Sequence, residues 1–264
     1  MSQNLVHEVV KVIDVVIVKG FDLFVSDVHL SPSRPDITEQ FEAFLETRAS
    51  QAGALYILGD LFEAWIGDDA IGPFELRIAG ALRALRDAGV TTYYLCGNRD
   101  FLLGRTYCER AGMQWLEQPH CISLNDEPTV LLHGDSLCTL DRQYQRYRRR
   151  VTDPKWQQRM LSRPVWVRRG IARLLRLVSR LRNRRPDPVR MDVAPEAVNK
   201  LFRASGSTRM IHGHTHLPNR HEHEVDGGVF ERIVLGDWYT QGSVLAATPD
   251  GLNLESLSRG FVGH

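Results

Sequence analysis

A chain of 264 residues with 43% hydrophobic side chains can bury a sizeable core, which suits a globular enzyme built as one α/β domain with an insertion or as two small domains. Its four cysteines, Cys96, Cys108, Cys121 and Cys138, form no C-x-x-C pair, which argues against a zinc cluster or disulfide framework and for reduced thiols in the cytoplasm. The formal net charge of +1 conceals segregation: between Arg142 and Arg190, sixteen arginines and Lys155 face only Asp153 and Asp187, a local excess of +15 that points to a surface for anions.

In residues 1–20 the apolar pairs Val9-Val10 and Val15-Val16 are interrupted by Glu8, Lys11, Asp14 and Lys19. The stretch reads as an extension, with neither a signal-peptide core nor a membrane span. Phe21 to Ser26 is strand-like and ends in Asp27-Val28-His29. A carboxylate and an imidazole two residues apart on an extended chain point the same way and suit joint coordination of one metal ion. Asp36 to Glu39 then reads as a capping signature for an amphipathic helix through Phe41, Phe44 and Leu45. The apolar run Ala54 to Leu58 predicts a buried strand, with Asp60 just past its end on a turn that Gly59 allows. Strand ends of this kind are where open α/β sheets place their ligands.

The spacing of Leu76, Ile78, Leu82 and Leu85 predicts a second helix over residues 74–88, stopped at Gly89. Further strands end in Gly97-Asn98-Arg99-Asp100 and His133-Gly134-Asp135. Pro195 opens a helix ending near Gly206, and Met210-Ile211 leads into His212-Gly213-His214-Thr215-His216. A Pro249-Asp250-Gly251 turn joins two closing strands. Five strand-like segments thus each end in a metal-capable residue. Oxygen and imidazole donors without thiolate favour Mn²⁺, Fe²⁺, Mg²⁺ or Zn²⁺, and seven donors exceed the needs of one ion. Two ions sharing a carboxylate is the economical arrangement, one that generates a hydroxide nucleophile for attack on phosphorus. His7, His120, His221, His223 and His264 read as surface histidines, since none ends an apolar run. His212 is open between supporting the site and packing, as Glu63, Asp68 and Asp69 are between orienting ligands and capping a helix.

Asp-x-His, Gly-Asp, Gly-Asn-x-Asp, His-Gly-Asp and Gly-His-x-His together resemble the motif series of the calcineurin-like metallophosphoesterases. The resemblance implies a four-layer α/β/β/α core with a helical cap insertion, the core being residues 21–140 and 191–264 and the cap residues 141–190. It implies two divalent ions, with Mn²⁺ favoured: Asp27, His29 and His216 hold one, Asn98, His133 and His214 the other, and Asp60 bridges. Gly59 to Asp69, Gly97 to Gly104, His133 to Thr139, Met191-Asp192-Val193 and Ile211 to His216 resemble more narrowly the branch acting in lipid A biosynthesis. That branch splits a UDP-linked diacylglucosamine into UMP and a diacylglucosamine 1-phosphate. By this resemblance Asp60, Asn98, Arg99 and His214 are catalytic, and Asn98, Arg99, Asp141, Ser179, Asn183 and His214 contact substrate. The expected partners are a nucleotide-activated diacyl glycolipid and the anionic cytoplasmic face of the inner membrane, with neither nucleic acid nor an obligate protein partner.

Two departures stand out. Where the wider family usually has a proton-donating histidine after the asparagine, this chain has Arg99, which keeps its proton but grips phosphate oxygens. A phosphoanhydride needs no strong acid, since its leaving group is itself a phosphate with a pKa of about 6. Arg99 therefore favours diphosphate over monoester cleavage. The branch's usual lysine falls at Pro186, with Arg184 or Arg185 available in its place. In the insertion, Val167, Ile171, Leu174, Leu175, Val178 and Leu181 recur at helical spacing, Arg168, Arg169, Arg173, Arg176 and Arg180 fill much of the remaining surface, and Trp156 and Trp166 suit a boundary between apolar and wet surroundings. The bland alternative is a packed helical hairpin with a solvated arginine face; beside a phosphate-cleaving site a cap resting on anionic lipid fits better. Rival functions are a nuclease or nucleotide phosphodiesterase using the arginines on nucleic acid, and a metal-free scaffold, against which the complete donor set argues.

Overall fold

The computed structural model describes residues 20–182, 192–239 and 242–257. The expected N-terminal extension lies outside them except for Gly20, as do Asn183 and the Arg184–Pro186 stretch; Ser179 lies on a described helix but its side chain is outside the description. The first half alternates strand and helix: β1 (Asp22–Val25), α1 (Pro35–Thr47), β2 (Ala54–Leu58), α2 (Pro73–Asp87), β3 (Thr91–Leu95), α3 (Arg105–Ala111) and β4 (Met113–Trp115), the last a strand not expected from the sequence. These four strands pair in parallel, in that order. A hairpin of β5 (His120–Leu124) and β6 (Glu127–Leu131) turns on Asn125 and Asp126, both at positive φ. The insertion follows as α4 (Arg142–Val151), α5 (Pro154–Leu161) and α6 (Val165–Arg182). The core resumes with α7 (Pro195–Ser205), β7 (Arg209–His212), β8 (Asn219–Val225), β9 (Gly228–Val234), β10 (Gly242–Thr248) and β11 (Gly251–Leu257).

Two sheets result, one ordered β11-β10-β1-β2-β3-β4 and the other β5-β6-β7-β9-β8. Side-chain alternation along each strand sorts the core into three clusters. Leu23 and Val25 of β1 face α1 and α2, meeting Phe41, Phe44, Ile78 and Leu82, while Phe24 faces the second sheet with Tyr56, Leu131, Ile211 and Ile233. On the far side of that sheet, Val130 and Met210 pack against Val198 and Phe202 of α7. The layers therefore run helix, sheet, sheet, helix, the α/β/β/α order expected. Phe24 stacks on Tyr56 at a centroid distance of 4.6 Å with no exposed surface, so Phe24→Ala would cost about 3–5 kcal/mol.

Two local expectations are corrected. The first helix does not use Asp36 as its cap: Pro35 occupies its first turn after Arg34, and the Arg34 guanidinium donates to both Asp36 oxygens at 2.9 and 2.7 Å. Arg168, expected on the solvated face of the insertion, is buried.

Parallel pairing brings the carboxyl ends of β1, β2 and β3 to one edge of their sheet and those of β6 and β7 to one edge of the other. Backbone bonds then tie the emerging loops together: Asp27 N donates to Gly59 O at 3.1 Å, His29 N to Asp60 O at 3.0 Å, and Gly213 N to His133 O at 2.9 Å. Trp238 N, past the end of β9, reaches Asp27 O at 3.2 Å and so joins the two sheets at that edge.

Candidate metal centre

Five of the expected ligands, Asp27, His29, Asp60, His214 and His216, adopt left-handed φ values between 53° and 69°. Such conformations cost about 1–3 kcal/mol each and persist only where surrounding structure imposes them, typically at functional sites. Among the described residues, the other non-glycine positions with positive φ are Asn125, Asp126 and Asp226, residue types that tolerate this region. Glycines make room for the crowding. A Cβ on Gly97 would overlap the carboxylate and backbone nitrogen of Asp60, and one on Gly213 would overlap Ser26 Oγ and Asp27 Oδ2. One on Gly59, at φ +86°, would sit 2.7 Å from Gly97 Cα and from His133 Nδ1. The Gly that precedes Asp60, Asn98 and His214 is thus a packing requirement of the site.

The donor atoms converge in two groups. His216 Nε2 lies 3.2 Å from Asp27 Oδ1 and 3.4 Å from His29 Nε2, and His29 Nε2 lies 3.8 Å from Asp27 Oδ1. Asn98 Oδ1 lies 2.9 Å from His133 Nε2 and 2.7 Å from His214 Nδ1. Asp60 faces both groups, with Oδ2 3.9 Å from His29 Nε2 and Oδ1 3.8 Å from His133 Nε2. Ligand atoms of Asp27, His29 and His216, and likewise of Asp27, Asp60 and His133, all fall within 4.8 Å of one another. Buried carboxylates and imidazoles concentrated this way fit a divalent ion, which would offset charge that the fold alone leaves crowded.

A second ring holds these donors in place. His133 Nδ1 is 2.9 Å from Leu58 O, so Nδ1 carries a hydrogen and Nε2 is the nitrogen that faces Asn98 Oδ1 and would offer its lone pair to an ion once its own proton is displaced. His216 Nδ1 is 3.0 Å from Asp237 Oδ2, a carboxylate that fixes the ring the same way. Asp100 accepts from Asp60 N at 3.2 Å, Leu61 N at 2.7 Å and Gly97 N at 2.7 Å, stapling the Asp60 loop to the Asn98 loop. Glu63 lies 3.6 Å from His29 Nδ1 and 3.6 Å from Arg99 Nη1, and accepts from Tyr239 OH at 3.1 Å.

Electrostatics follow from burial and these neighbours. Burial, with repulsion from Asp100 and Asp27, pushes Asp60 up to about 8 against the pull of His133. Burial opposes charge on His133 and His216, yet Asp60 and Asp27 lift the first to about 9, and Asp27 and Asp237 the second to about 10. Burial holds His29 down at about 3 and His214 at about 4. Burial would raise Asp27, but His216, His133 and His29 hold it well below the usual carboxylate range.

Residues 23–218 match the family model described as calcineurin-like phosphoesterase. The chain belongs to that phosphoesterase family. A relative from Stenotrophomonas maltophilia (strain K279a), called UDP-2,3-diacylglucosamine hydrolase, is 48% identical over 244 residues, spanning 90% of this chain and 98% of that protein. Proteins of the same name from Azotobacter vinelandii (strain DJ / ATCC BAA-1303) and Xanthomonas axonopodis pv. citri (strain 306) are 49% and 46% identical, spanning 88% and 89% of this chain and 96% and 98% of theirs.

In this phosphoesterase the structure brings together Asp27, His29, Asp60, Asn98, Arg99, His133, His214 and His216. Arg99 N donates to Asp60 Oδ1 at 2.7 Å, and its guanidinium lies 3.6 Å from Glu63, the carboxylate next to His29 Nδ1. Asp141 stands at the start of α4, accepting from Tyr144 N at 2.9 Å. His212 is buried: its Nδ1 lies 2.8 Å from Gly213 O and its Nε2 3.2 Å from Arg232, an arrangement that supports the loop without offering a donor to the centre. His223, expected on the surface, accepts from Arg232 at 3.0 Å and is half-buried. Asp68 accepts from Gly104 N at 2.9 Å and Tyr107 N at 3.0 Å, capping α3. The sequence assigned no role to Asp237, Tyr144 and Tyr239, and gave Asp135 only as part of the His-Gly-Asp motif. Asp237 also had a signal, since Gly236-Asp237 ends the apolar run of β9 as Gly59-Asp60 ends that of β2.

Proposed function

We propose that this protein hydrolyses the diphosphate bond of UDP-2,3-diacylglucosamine to UMP and 2,3-diacylglucosamine 1-phosphate. The single observation that carries the reading is the double-facing Asp60 between two donor groups, in a chain nearly half identical to hydrolases of that name over almost their whole length. In this reading Asp27, His29 and His216 would hold one ion and Asn98, His133 and His214 a second, with Asp60 available to both, and Mn²⁺ suits the mixed oxygen and imidazole donors. Such ions, when bound, lower the pKa of water to yield a nucleophile at neutral pH and draw charge from the phosphate.

The chain's own groups do the rest. Asn98, Arg99 and His214 surround the place where charge develops on the attacked phosphate, and donors fixed in advance there need no reorganisation during reaction. Arg99 is only about a quarter exposed and its pKa is raised by Glu63 and Asp60 despite burial, so it is a permanent cation gripping oxygen and never a proton donor. That suits a phosphate leaving group. By resemblance Asp141, Ser179 and Asn183 complete the proposed substrate contacts, in a division of the chain into a cap of residues 141–190 and a core of residues 21–140 and 191–264.

The cap also supports a membrane role. Trp166 is 75% exposed, Leu174 60% and Leu177 55%, and exposed Arg163, Arg169 and Arg173 lie on the same helix or at its start. Apolar side chains ringed by arginines suit the anionic surface in which a diacyl substrate resides, and among the described residues no helix is long and apolar enough to cross a membrane. Assay of UMP release from UDP-2,3-diacylglucosamine with Mn²⁺ tests the function; absence of UMP would overturn it.

A further inference from the structure

All three cap helices dock on loops that leave the metal centre. Arg148 Nε of α4 donates to Asp135 Oδ2 at 2.7 Å, beside His133, and Gln157 Nε2 of α5 donates to Phe101 O at 3.2 Å, beside Asn98 and Arg99. The third contact is the most committed. Arg168 of α6 is 2% exposed, and its guanidinium donates to Ile66 O, to Asp69 Oδ1 at 2.8 Å, to Asp69 Oδ2 and to Arg163 O at 2.9 Å. Its fork is thus satisfied within the protein, unlike the solvated arginines along the same helix. Gly67, at φ +121°, is the backbone the guanidinium lies against, and a Cβ there would overlap Arg168 Nη1 and come within 2.7 Å of Leu161 Cδ2. The same loop continues to the reaction site: Trp65 N donates to Arg99 O at 3.2 Å.

We infer that Arg168 is a positioning residue, latching α6 through Ile66 and Asp69 onto the loop that follows Asp60 and so fixing the cap at the height and angle the lipid part of the substrate requires. The consequence for substrate rests on the reading of a UDP-lipid hydrolase, whereas the latch itself does not. A buried guanidinium cannot shed its charge, so the helix is held wherever the fork finds Asp69 and the Ile66 carbonyl together. Lysine keeps the charge but cannot span both partners. Asp69 is 57% exposed, so its removal leaves a folded protein and weakens the latch from the loop side.

The test uses the full-length, Mn²⁺-loaded protein and the variants Arg168→Met, Arg168→Lys and Asp69→Asn. Amide hydrogen exchange over residues 165–177 should quicken on the order of tenfold in all three while exchange in α1 stays unchanged, because only the cap is released. KM for UDP-2,3-diacylglucosamine should rise on the order of tenfold with kcat within about twofold, while turnover of bis(p-nitrophenyl) phosphate, which does not reach the cap, stays at the wild-type rate. The Arg168→Met, Asp69→Asn double variant should be no worse than Arg168→Met alone, the mark of one shared contact. Unchanged exchange in α6 would overturn the latch whatever the substrate proves to be, and equal losses on both substrates would overturn its positioning role. Wild-type protein that left the UDP-lipid intact would refute the functional reading, with the exchange measurement still deciding the latch.

Discussion

Gly97→Ala is the most informative single perturbation, because it adds one methyl group to a residue whose φ lies outside the left-handed region that only glycine favours. The added Cβ would overlap Asp60 Oδ1 and the Asp60 backbone nitrogen, where ordinary carbon contacts begin at about 3.5 Å. The carboxylate must therefore retreat by on the order of 1 Å, a misplacement that costs about 100-fold in rate. Since Asp60 stands between the two donor groups, metal content should also fall below that of the parent protein. Overpacking of a core by one methyl destabilises by about 1–3 kcal/mol, or roughly 2–10 °C in Tm for a chain of this size. Gly80→Ala is the control: in α2 its Cβ meets nothing within 4 Å, so stability should rise by about 0.5–1 kcal/mol with activity unchanged. UMP release, elemental analysis and thermal unfolding on the two variants suffice. Full activity with full metal content in Gly97→Ala would refute the argument that these glycines exist to admit the Asp60 carboxylate.

Metal binding should release protons. His133 and His216 are lifted to about 9 and 10 and Asp60 to about 8, so the metal-free site holds protons at pH 7 that ligation must displace, and affinity should climb with pH until it levels off above about 10. Calorimetry in two buffers of different ionisation enthalpy measures the release, and a pH-independent Kd would count against it. Asp237→Asn should lower metal affinity by about 10–100-fold through the loosened His216 ring, readable by competition with a chelator, while retained affinity would deny the carboxylate that role. Arg99→His should lose most turnover of the UDP-lipid and raise only slightly the slow wild-type turnover of aryl phosphodiesters, and a wild-type preference for monoesters would defeat the argument from Arg99. With Trp166, Leu174 and Leu177 exposed beside arginines, the protein should sediment with anionic vesicles at low salt and leave them as the screening length shrinks to about 8–10 Å; indifference to lipid charge would refute that contact.

The centre was legible in sequence because its ligands sit at strand ends, and strand ends are local features: an apolar run, a glycine, then a donor. Short apolar runs likewise made β1, β2 and β3 readable, and Pro195 and Gly206 bracketed α7 by their backbone preferences. What sequence did not carry were long-range pairings. Nothing near Arg168 in the chain says that Asp69, 99 residues earlier, waits in a loop, so helical spacing assigned it to the solvated face. Asp36 misled for the converse reason: it fits a cap signature, but Arg34 two residues before it captures its carboxylate and Pro35 alone starts the helix. The Asp135 contact with Tyr144 and Arg148 is of the Arg168 kind, a partnership between the core and an inserted segment that only folding reveals.

The central claim is attack on a diphosphate at a centre bridged by Asp60, and hydrolysis of UDP-2,3-diacylglucosamine in heavy-oxygen water tests it most directly. The Mn²⁺-loaded protein should release UMP and 2,3-diacylglucosamine 1-phosphate in equal amounts, with the label in UMP, and Asp60→Ala should remain folded but release neither. Label in the lipid phosphate, or full turnover by Asp60→Ala, would contradict the account.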